Sequence, residues 1–414
     1  MLLPGKDGCE AISYTQVWGL VGRYAAVLSE EGLRAGDRVC IFAEGSHEWA
    51  LADWAARTLG VVVAPIYPTL PADQAQYIVQ DCGAKLAIAG SAELAAKLSG
   101  VPILLLRGPG SLVERAEAVV VDEKAWNSSI EAIEPGDVST IIYTSGTTGL
   151  PKGAMLSNRA CGWVCGAILN NIPLSEADTF FSFLPMAHVF ERIDGQILPL
   201  SLGATVGYCR SLMSMAGDLQ KVRPTVILCV PRVLEALQEK VLDGVRKSPP
   251  MRRRLFALAL AQGARRFYGK AAPLFWLTDR LVGRKVRTGL GGRLRLLVAG
   301  GAALPASVAE FYGAFRLTIL QGYGLTETSS GVAVNHPDRN KFWTVGEVLP
   351  GMECEIAPDG EILFRGPACM EGYYNLPEET AAAIDDQGWF HTGTSASSKA
   401  STSRSPTARR TFSC

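Results

Sequence analysis

The sequence lacks an excess of charge of either sign, because its 40 acidic side chains cancel its 40 basic ones. A chain without a basic excess is not expected to bind nucleic acid through its overall field. Its ten cysteines form no C-x-x-C pair, and no Cys/His cluster has the spacing of a zinc site. We therefore interpret the cysteines as thiols of a cytosolic protein.

The sequence also lacks a long apolar run. It has no uninterrupted apolar stretch of about eighteen residues, and no basic N-terminal segment followed by an apolar one. These absences predict a cytoplasmic chain that is soluble or, at most, bound to the inner surface of a membrane. Apolar residues are nevertheless plentiful, at 48% of 414 residues, which is enough to bury a sizeable core in more than one domain or subdomain.

Apolar runs alternate with helix-like segments, a pattern typical of parallel sheets covered by helices. After Gly346 the strands shorten and turns become frequent, which predicts a small β subdomain. The predicted strands of the first set cover residues 38–42, 61–65, 85–89 and 101–106, with helices over 49–59 and 72–80, and those of the second set cover 179–183, 205–208, 225–230, 294–299 and 318–320.

Residues 140–153 form a short apolar run that leads into a loop of hydroxyls and glycines with one lysine. Glycines let backbone N–H groups turn toward a polyphosphate, hydroxyls donate to its oxygens, and Lys152 supplies positive charge. The spacing differs from a P-loop, since the lysine follows Gly-Leu-Pro and no Ser or Thr follows it. The alternative is a flexible linker, which the preceding strand and the Pro-Lys-Gly exit disfavour.

Six motifs resemble, in order, those of the AMP-forming long-chain acyl-CoA synthetases of the adenylate-forming ligase superfamily. Any one could arise by chance, but their collinear series makes an accident improbable. They are Tyr-Thr-Ser-Gly-Thr-Thr-Gly-Leu-Pro-Lys-Gly at 143–153, Leu-Pro-Met-Ala-His-Val-Phe-Glu-Arg at 184–192, Gly-Gly-Ala-Ala-Leu-Pro at 300–305, Gln-Gly-Tyr-Gly-Leu-Thr-Glu at 321–327, Gly-Glu-Val-Leu-Pro-Gly at 346–351 and Gly-Trp-Phe-His-Thr-Gly at 388–393.

The resemblance implies an α/β fold in which residues 1–393 form a large N-terminal AMP-binding domain, short at its start, with two α/β lobes with parallel sheets and a small β-barrel. It also implies ATP, Mg²⁺ and CoA as cofactors or co-substrates. The carboxylate of a fatty acid would attack the α-phosphorus of ATP and expel pyrophosphate, and the thiol of CoA would then displace AMP. Attack of one anion on another needs alignment and charge neutralisation more than a protein nucleophile.

The resemblance also assigns roles to individual residues. The catalytic candidates are Lys152, His188, Thr326 and Glu327, with Glu327 and Thr144 as the magnesium ligands. Tyr323 would stack on adenine, and Gly300, Gly301 and Ala302 would let the ring and the acyl carboxylate approach the backbone. The nucleotide-binding set is Thr144, Ser145, Gly146, Thr147, Thr148, Gly149, Lys152, Gly300, Gly301, Ala302, Gln321, Gly322, Tyr323, Gly324 and Thr326.

Two of these assignments have simpler alternatives. His188, expected at the boundary between the acyl and phosphate sites, could instead be a histidine satisfied within the core. Glu327 could be a solvated surface acid, which its Tyr-Gly-Leu-Thr context makes improbable.

Residues 252–295 contain twelve Lys or Arg against a single acid, Asp279, with aromatic residues interleaved. This surface could rest on anionic lipid, from which a long-chain fatty acid would be drawn. The competing interpretation, which we favour, is a solvated helical pair whose apolar residues face the core.

The chain departs from the family's pattern at Thr394, where relatives carry an aspartate that binds ribose. Residues 394–414 are low in apolar residues and predict a disordered tail. A one-nucleotide frameshift after Gly393 would restore that aspartate and, over residues 405–414, permits Ile-Thr-Asp-Arg-Lys-Lys-Asp-Leu-Phe-Val, which resembles the family's hinge. We therefore expect a frameshift product in place of the hinge and the mobile C-terminal domain, with adenylation impaired.

Three functions remain open from the sequence. The chain could belong to a long-chain fatty acid–CoA ligase, to an adenylation domain for another carboxylic acid, or to a non-catalytic module that binds ATP or acyl groups.

Overall fold

The structure is a computed structural model that describes residues 1–144, 149–396 and 411–412. The strands within these residues are β1 Leu2–Pro4, β2 Cys9–Ala11, β3 Arg38–Phe42, β4 Val62–Ile66, β5 Leu86–Ala89, β6 Ile103–Leu105, β7 Val138–Thr144, β8 Lys152–Ser157, β9 Thr179–Ser182, β10 Thr205–Tyr208, β11 Val226–Cys229, β12 Leu296–Ala299, β13 Thr318–Leu325, β14 Ser330–Val334, β15 Gly346–Val348, β16 Glu353–Ile356, β17 Glu361–Arg365, β18 Gly372–Tyr373, β19 Phe390–Ser395 and β20 Thr411–Phe412.

Helices connect and cover these strands. The α-helices are α1 Tyr14–Glu30, α2 His47–Thr58, α3 Ala72–Asp81, α4 Ala92–Ala95, α5 Leu112–Ala118, α6 Glu123–Glu131, α7 Asn158–Asn171, α8 Leu198–Ser201, α9 Met215–Val222, α10 Pro231–Arg246, α11 Pro250–Phe267, α12 Phe275–Thr278, α13 Arg284–Gly289, α14 Ala306–Ala314 and α15 Pro377–Ala383. π-Helical turns lie at Phe190–Ile197 and Asp279–Gly283, and 3₁₀ turns at Thr326–Thr328 and Pro337–Arg339.

The strands form two large mixed sheets with parallel centres. One has seven strands in the order β18-β8-β7-β4-β3-β5-β6, in which β7, β4, β3, β5 and β6 run parallel. The other has ten strands in the order β2-β1-β10-β9-β11-β12-β13-β14-β15-β20, with the run from β1 to β13 parallel. The predicted α/β fold with two parallel-sheet lobes is confirmed.

Each sheet is buried on both faces, because alternate side chains of its strands enter different cores. In β3, Val39 and Ile41 pack with α1 and α2, whereas Cys40 and Phe42 pack with α3. In β12 of the ten-stranded sheet, Leu296 packs on the α7 side. Its neighbour Leu297 packs on the α11 and α14 side. Continuous apolar runs, rather than alternating ones, follow from this double burial.

The small β unit that follows the ten-stranded sheet is an antiparallel sheet of β16, β17 and β19. The strands that the structure describes here do not close on themselves, so the predicted small barrel appears as an open three-stranded sheet. Most of residues 394–414, which we expect to arise from a frameshift, lie outside the described ranges.

The basic segment of residues 252–295 combines features of both interpretations. Phe256 of α11 and Phe275 of α12 are buried, as a helical pair facing the core predicts. Trp276 and Leu277 are instead 63% and 58% exposed. The Arg266 guanidinium carbon lies 5.5 Å from the centre of the Trp276 ring. Among the helices that the structure describes, none combines the length and the apolar character that a membrane span requires.

Candidate active site

A cavity of about 670 Å³ lies where the two large sheets and the small β unit meet, within the size range of small-molecule sites. One end is polar and is formed by Thr144, Lys152, Thr326 and Glu327. The rest of the wall is largely apolar. Its side chains come from α7, the neighbouring helices and the ten-stranded sheet, among them Ile168, Ile172, Phe180, Leu198, Val226 and Leu296.

The β7–β8 hairpin brings Thr144 and Lys152 to the polar end. The two residues are partners in the antiparallel ladder, so both ends of the glycine- and hydroxyl-rich loop are fixed by hydrogen-bonded strands. Gly153 is required beside them, because a Cβ there would lie 2.6 Å from Cγ2 of Ile141. Ser145, Gly146, Thr147 and Thr148, assigned to phosphate binding, lie outside the described residues. Gly149 is described, and it is exposed.

Lys152 has two partners in this structure. Its Nζ forms an ion pair with the Glu379 carboxylate of α15. The same Nζ lies 5.3 Å from the centre of the Tyr373 ring, a cation–π distance. The lysine is therefore held at the rim of the cavity by groups that the sequence analysis did not assign to the site.

Glu327 lies on the 3₁₀ turn Thr326–Thr328, directly after β13. The Tyr373 hydroxyl donates to its Oε1 at 2.8 Å. The backbone N–H of Met370 donates to the Glu327 carbonyl at 2.8 Å, so both side chain and backbone are oriented. Burial, followed by the Glu327 charge, raises the pKa of Tyr373 and keeps it a hydrogen-bond donor. The alternative of a freely solvated surface acid does not describe this glutamate.

The donor set at this end suits a hard cation. Thr144 and Glu327 offer hydroxyl and carboxylate oxygens, which Mg²⁺ prefers, and Mg²⁺ usually completes its shell with phosphate oxygens and water. Among the described residues, no group of three or more His, Cys, Asp or Glu side chains could hold a metal alone. A cation here would therefore depend on the nucleotide for further ligands.

The glycine-rich turn after β12 and the end of β13 form the adjoining wall. A Cβ on Gly300 would lie 3.4 Å from the Phe190 ring, and Gly301 has a φ of +78°. Gly324 is required by its neighbour, since a Cβ would lie 1.8 Å from the carbonyl oxygen of Ser330. Gly300, Gly301, Gly322, Tyr323 and Gly324 all line the cavity, whereas Ala302 and Gln321 do not contribute to its lining.

Tyr323, which we expect to stack on adenine, already has an aromatic neighbour. Its ring lies 6.0 Å from that of Phe364 in β17, at an interplanar angle of 28°. The small β unit therefore supports one face of this tyrosine, and the ring is fixed as part of the cavity wall.

His188 lines the cavity, in agreement with its expected place between the two sites. The backbone N–H of Phe190 donates to its Nδ1 at 3.1 Å, so Nε2 carries the hydrogen of the neutral ring. Burial lowers the pKa of His188, which favours that neutral form. The neutral ring therefore has one N–H to donate, at Nε2.

Several residues that line the cavity were not identified from the sequence. Tyr373 follows a glycine in a short strand and carries no motif signal of its own, although it bonds Glu327. Strand β19 contributes His391, Thr392 and Gly393 to the wall. These residues belong to the motif at 388–393, to which the sequence assigned no role in the site. Asp194 and Ser330 also line the cavity, and their distance in sequence concealed their contact.

The chain is similar to a known protein family and to several characterised proteins. The family model described as AMP-binding enzyme matches residues 5–374. The long-chain-fatty-acid–CoA ligase FadD15 of Mycobacterium tuberculosis is 37% identical over 389 residues, which cover 87% of this chain and 63% of that protein. Human long-chain-fatty-acid–CoA ligase 1 is 31% identical over 431 residues, which cover 93% of this chain and 60% of that protein. The chain thus spans less than two thirds of either relative.

Solved structures give the same fold at lower identity. The N-terminal domain of FACL13 from Mycobacterium tuberculosis superposes with a TM-score of 0.72 and 23% identity, over 97% of this chain and 92% of that one. The O-succinylbenzoate coenzyme A synthetase of Bacillus subtilis, in complex with AMP, superposes with a TM-score of 0.73 and 19% identity, over 100% and 93% of the two chains.

Proposed function

Because the chain belongs to the AMP-binding enzyme family, we propose that it carries the ATP- and acid-binding part of a long-chain fatty acid–CoA ligase. The observation that carries the proposal is a single cavity with a polar end and a long apolar wall. A fatty acid bound along that wall would present its carboxylate to a nucleotide bound at the polar end. We propose residues 1–393 as the domain that performs this binding.

The residues at the polar end would act by binding and orientation. Lys152 and the hydroxyls from Thr144 to Thr148 would hold the β- and γ-phosphates, and Thr326 the α-phosphate. His188 would donate from Nε2 to the acyl carboxylate, which its neutral ring permits. Mg²⁺, held by Glu327 and Thr144, would neutralise charge that develops as pyrophosphate leaves. Transfer of the acyl group to CoA is proposed for the whole protein.

Binding of stable acyl-adenylate analogues tests the proposal without requiring turnover. A palmitoyl-sulfamoyl adenosine joins a long acyl chain to AMP-like atoms, and it should bind more tightly than phenylalanyl- or benzoyl-sulfamoyl adenosine by calorimetry. Acid-dependent ATP–pyrophosphate exchange on the same panel reports whether the chain also adenylates. Tighter binding of the phenylalanyl or benzoyl analogue would show that the cavity accepts a different carboxylic acid. Binding of ATP without binding of any of the three analogues would favour a non-catalytic nucleotide-binding module.

We further propose that the surface of residues 252–295 contacts anionic lipid at the inner membrane surface. Leu274, Trp276 and Leu277 are exposed, and the Arg266 guanidinium lies over the Trp276 ring, an arrangement that suits an interface of headgroups and acyl chains. Reversing the charges of Arg252, Arg253 and Arg254 to glutamate should abolish sedimentation with phosphatidylglycerol vesicles. The variant with Lys6→Glu and Lys124→Glu, outside this surface, should still sediment, and unchanged binding by the triple variant would refute the proposal.

A further inference from the structure

One carboxylic acid interrupts the apolar wall of the cavity. Asp194 lies on the π-helical turn Phe190–Ile197, lines the cavity, and is only 5% exposed. A buried acid in an apolar wall is unfavourable unless its oxygens are hydrogen-bonded. An apolar side chain at this position would therefore fill the wall at a lower cost in free energy than Asp194 does.

The carboxyl of Asp194 is only half satisfied. Ser330 Oγ donates to its Oδ2 at 2.7 Å. Its Oδ1 is buried and has no hydrogen-bond partner among the residues that the structure describes. Burial raises the pKa of Asp194 to about 7, so both the acid and the carboxylate are present near neutral pH. A hydroxyl brought against the carboxyl from the cavity would be able to donate to the carboxylate and accept from the acid.

The partner of Asp194 is held by an unusual backbone. Ser329 and Ser330 are consecutive non-glycine residues with φ values of +51° and +92°. Such conformations are costly and persist where the surrounding structure imposes them, often at binding sites. Strand β14 begins at this strained turn, and the Ser330 hydroxyl bonds Asp194, which lies 136 residues earlier in the sequence.

We propose that the Asp194–Ser330 pair binds a hydroxyl group carried on the acyl chain, so that the preferred acid is a hydroxylated fatty acid. The inference rests on the proposed function, because it takes the apolar wall as the site of the acyl chain. A hydroxyl suits the pair better than an ammonium group does. Burial raises the pKa values of both Asp194 and the nearby buried acid Glu191, so an ammonium group bound here would not face a fully ionised carboxylate.

The experiment compares acyl-sulfamoyl adenosines by calorimetry on the chain as it exists. The probes are the plain palmitoyl analogue and analogues with one hydroxyl near the carboxyl end, at mid-chain or near the methyl end. We expect one hydroxylated analogue to bind more tightly than the plain one. Asp194→Leu should shift the ratio of the two dissociation constants by about tenfold toward the plain analogue, as loss of a buried hydrogen bond predicts.

Two further variants separate recognition from packing. Asp194→Asn keeps a group that donates and accepts, so it should retain most of the preference and guards against a folding defect in Asp194→Leu. Ile172→Leu changes the apolar wall alone and should alter both dissociation constants by the same factor.

The outcomes distinguish this inference from the function beneath it. If neither the plain nor any hydroxylated analogue binds, the proposed function fails and the inference with it. If the plain analogue binds but no hydroxyl position depends on Asp194, the inference alone is overturned. An amino-substituted analogue that binds more tightly than its hydroxyl counterpart, and loses that advantage in Asp194→Leu, would overturn the choice of a hydroxyl.

Discussion

Lys152 is paired with Glu379 at the rim of the cavity. A rim ion pair of this kind contributes little to stability, since both side chains are partly exposed. The cation is therefore available at small cost to a ligand that carries several negative charges. Glu379 would then pair with Lys152 until a phosphate group replaces it.

This exchange of partners makes a first prediction. Lys152→Met should weaken ATP binding by about tenfold to a hundredfold, because one charge-assisted hydrogen bond to phosphate is lost. Glu379→Gln removes the competing carboxylate and should leave ATP binding unchanged or slightly tighter. Calorimetric titration with ATP measures both variants. Equal weakening by the two variants would mean that the ion pair supports the site's structure and that Lys152 does not bind phosphate.

A second prediction concerns Glu191, which is 1% exposed and whose pKa is raised by burial to about 8. The pKa of Glu191 in the unfolded chain is lower, at the ordinary value of a glutamate, so the unfolded state releases this proton at a lower pH than the folded state does. Between those two pKa values the free energy of unfolding therefore falls as pH rises. Between roughly pH 6 and pH 9 the loss from this group is about 2–3 kcal/mol. Glu191→Gln lacks this titration and should lose less stability over the same interval.

Urea unfolding at a series of pH values measures the difference between the Glu191→Gln variant and the unsubstituted protein. Glu176→Gln, an exposed substitution, is the matched control and should follow the unsubstituted protein at every pH. A constant offset between Glu191→Gln and the unsubstituted protein would show that Glu191 does not titrate in this range.

At the scale of elements, one buried glycine, Gly263, and one half-buried glycine, Gly313, allow α11 and α14 to pack closely. A Cβ on Gly263 of α11 would lie 2.2 Å from the carbonyl oxygen of Ala314, which is backbone and cannot rotate away. A Cβ on Gly313 of α14 would lie 2.4 Å from the Phe267 ring. The basic segment is thus fixed to the core by close helix contact, while Tyr268 and Trp276, which follow α11, are exposed.

This contact gives a third prediction. Gly263→Ala should destabilise the protein by about 1–3 kcal/mol, because the helices must separate to admit the methyl group. Gly244→Ala in α10, where nothing lies within 4 Å of the new Cβ, should instead stabilise by about 0.5–1 kcal/mol through helix propensity. Chemical unfolding of both variants checks the signs. Stabilisation by Gly263→Ala would mean that α11 and α14 are further apart than described.

The elements also show what sequence patterns can and cannot predict. Continuous apolar runs placed strands such as β3 and β11 within one residue of their observed bounds, because burial on both sheet faces leaves a strong local signal. The family resemblance led us to expect Thr144 and Glu327 in one site, and both line the cavity. The π-helical turn of Asp194 and the strained turn of Ser330 have no local signature, since their contact depends on how two distant elements pack.

At the scale of the whole molecule, a buried ion pair joins the two large sheets. Arg192, on the π-helical turn beside the ten-stranded sheet, binds the Asp53 carboxylate of α2 through Nε, at 3.2 Å, and through Nη2. Its Nη1 donates to Thr140 Oγ1 in β7 of the seven-stranded sheet. Arg192 and Asp53 are 1% and 2% exposed. One guanidinium therefore connects the two lobes whose ends enclose the cavity.

This connection makes the last prediction. Asp53→Ala should cost about 3–5 kcal/mol, because it leaves the arginine charge buried without its counter-ion. Replacing both partners by apolar residues, in Asp53→Leu with Arg192→Met, should cost less than the single substitution, since no unpaired charge remains. Guanidinium unfolding measures both. Asp53→Ala should also weaken binding of the palmitoyl-sulfamoyl adenosine. Neither Asp53 nor Arg192 lines the cavity, but the pair connects the two lobes whose walls face each other across it. A double variant as unstable as Asp53→Ala would show that the geometry of the pair, rather than its charge balance, holds the lobes together.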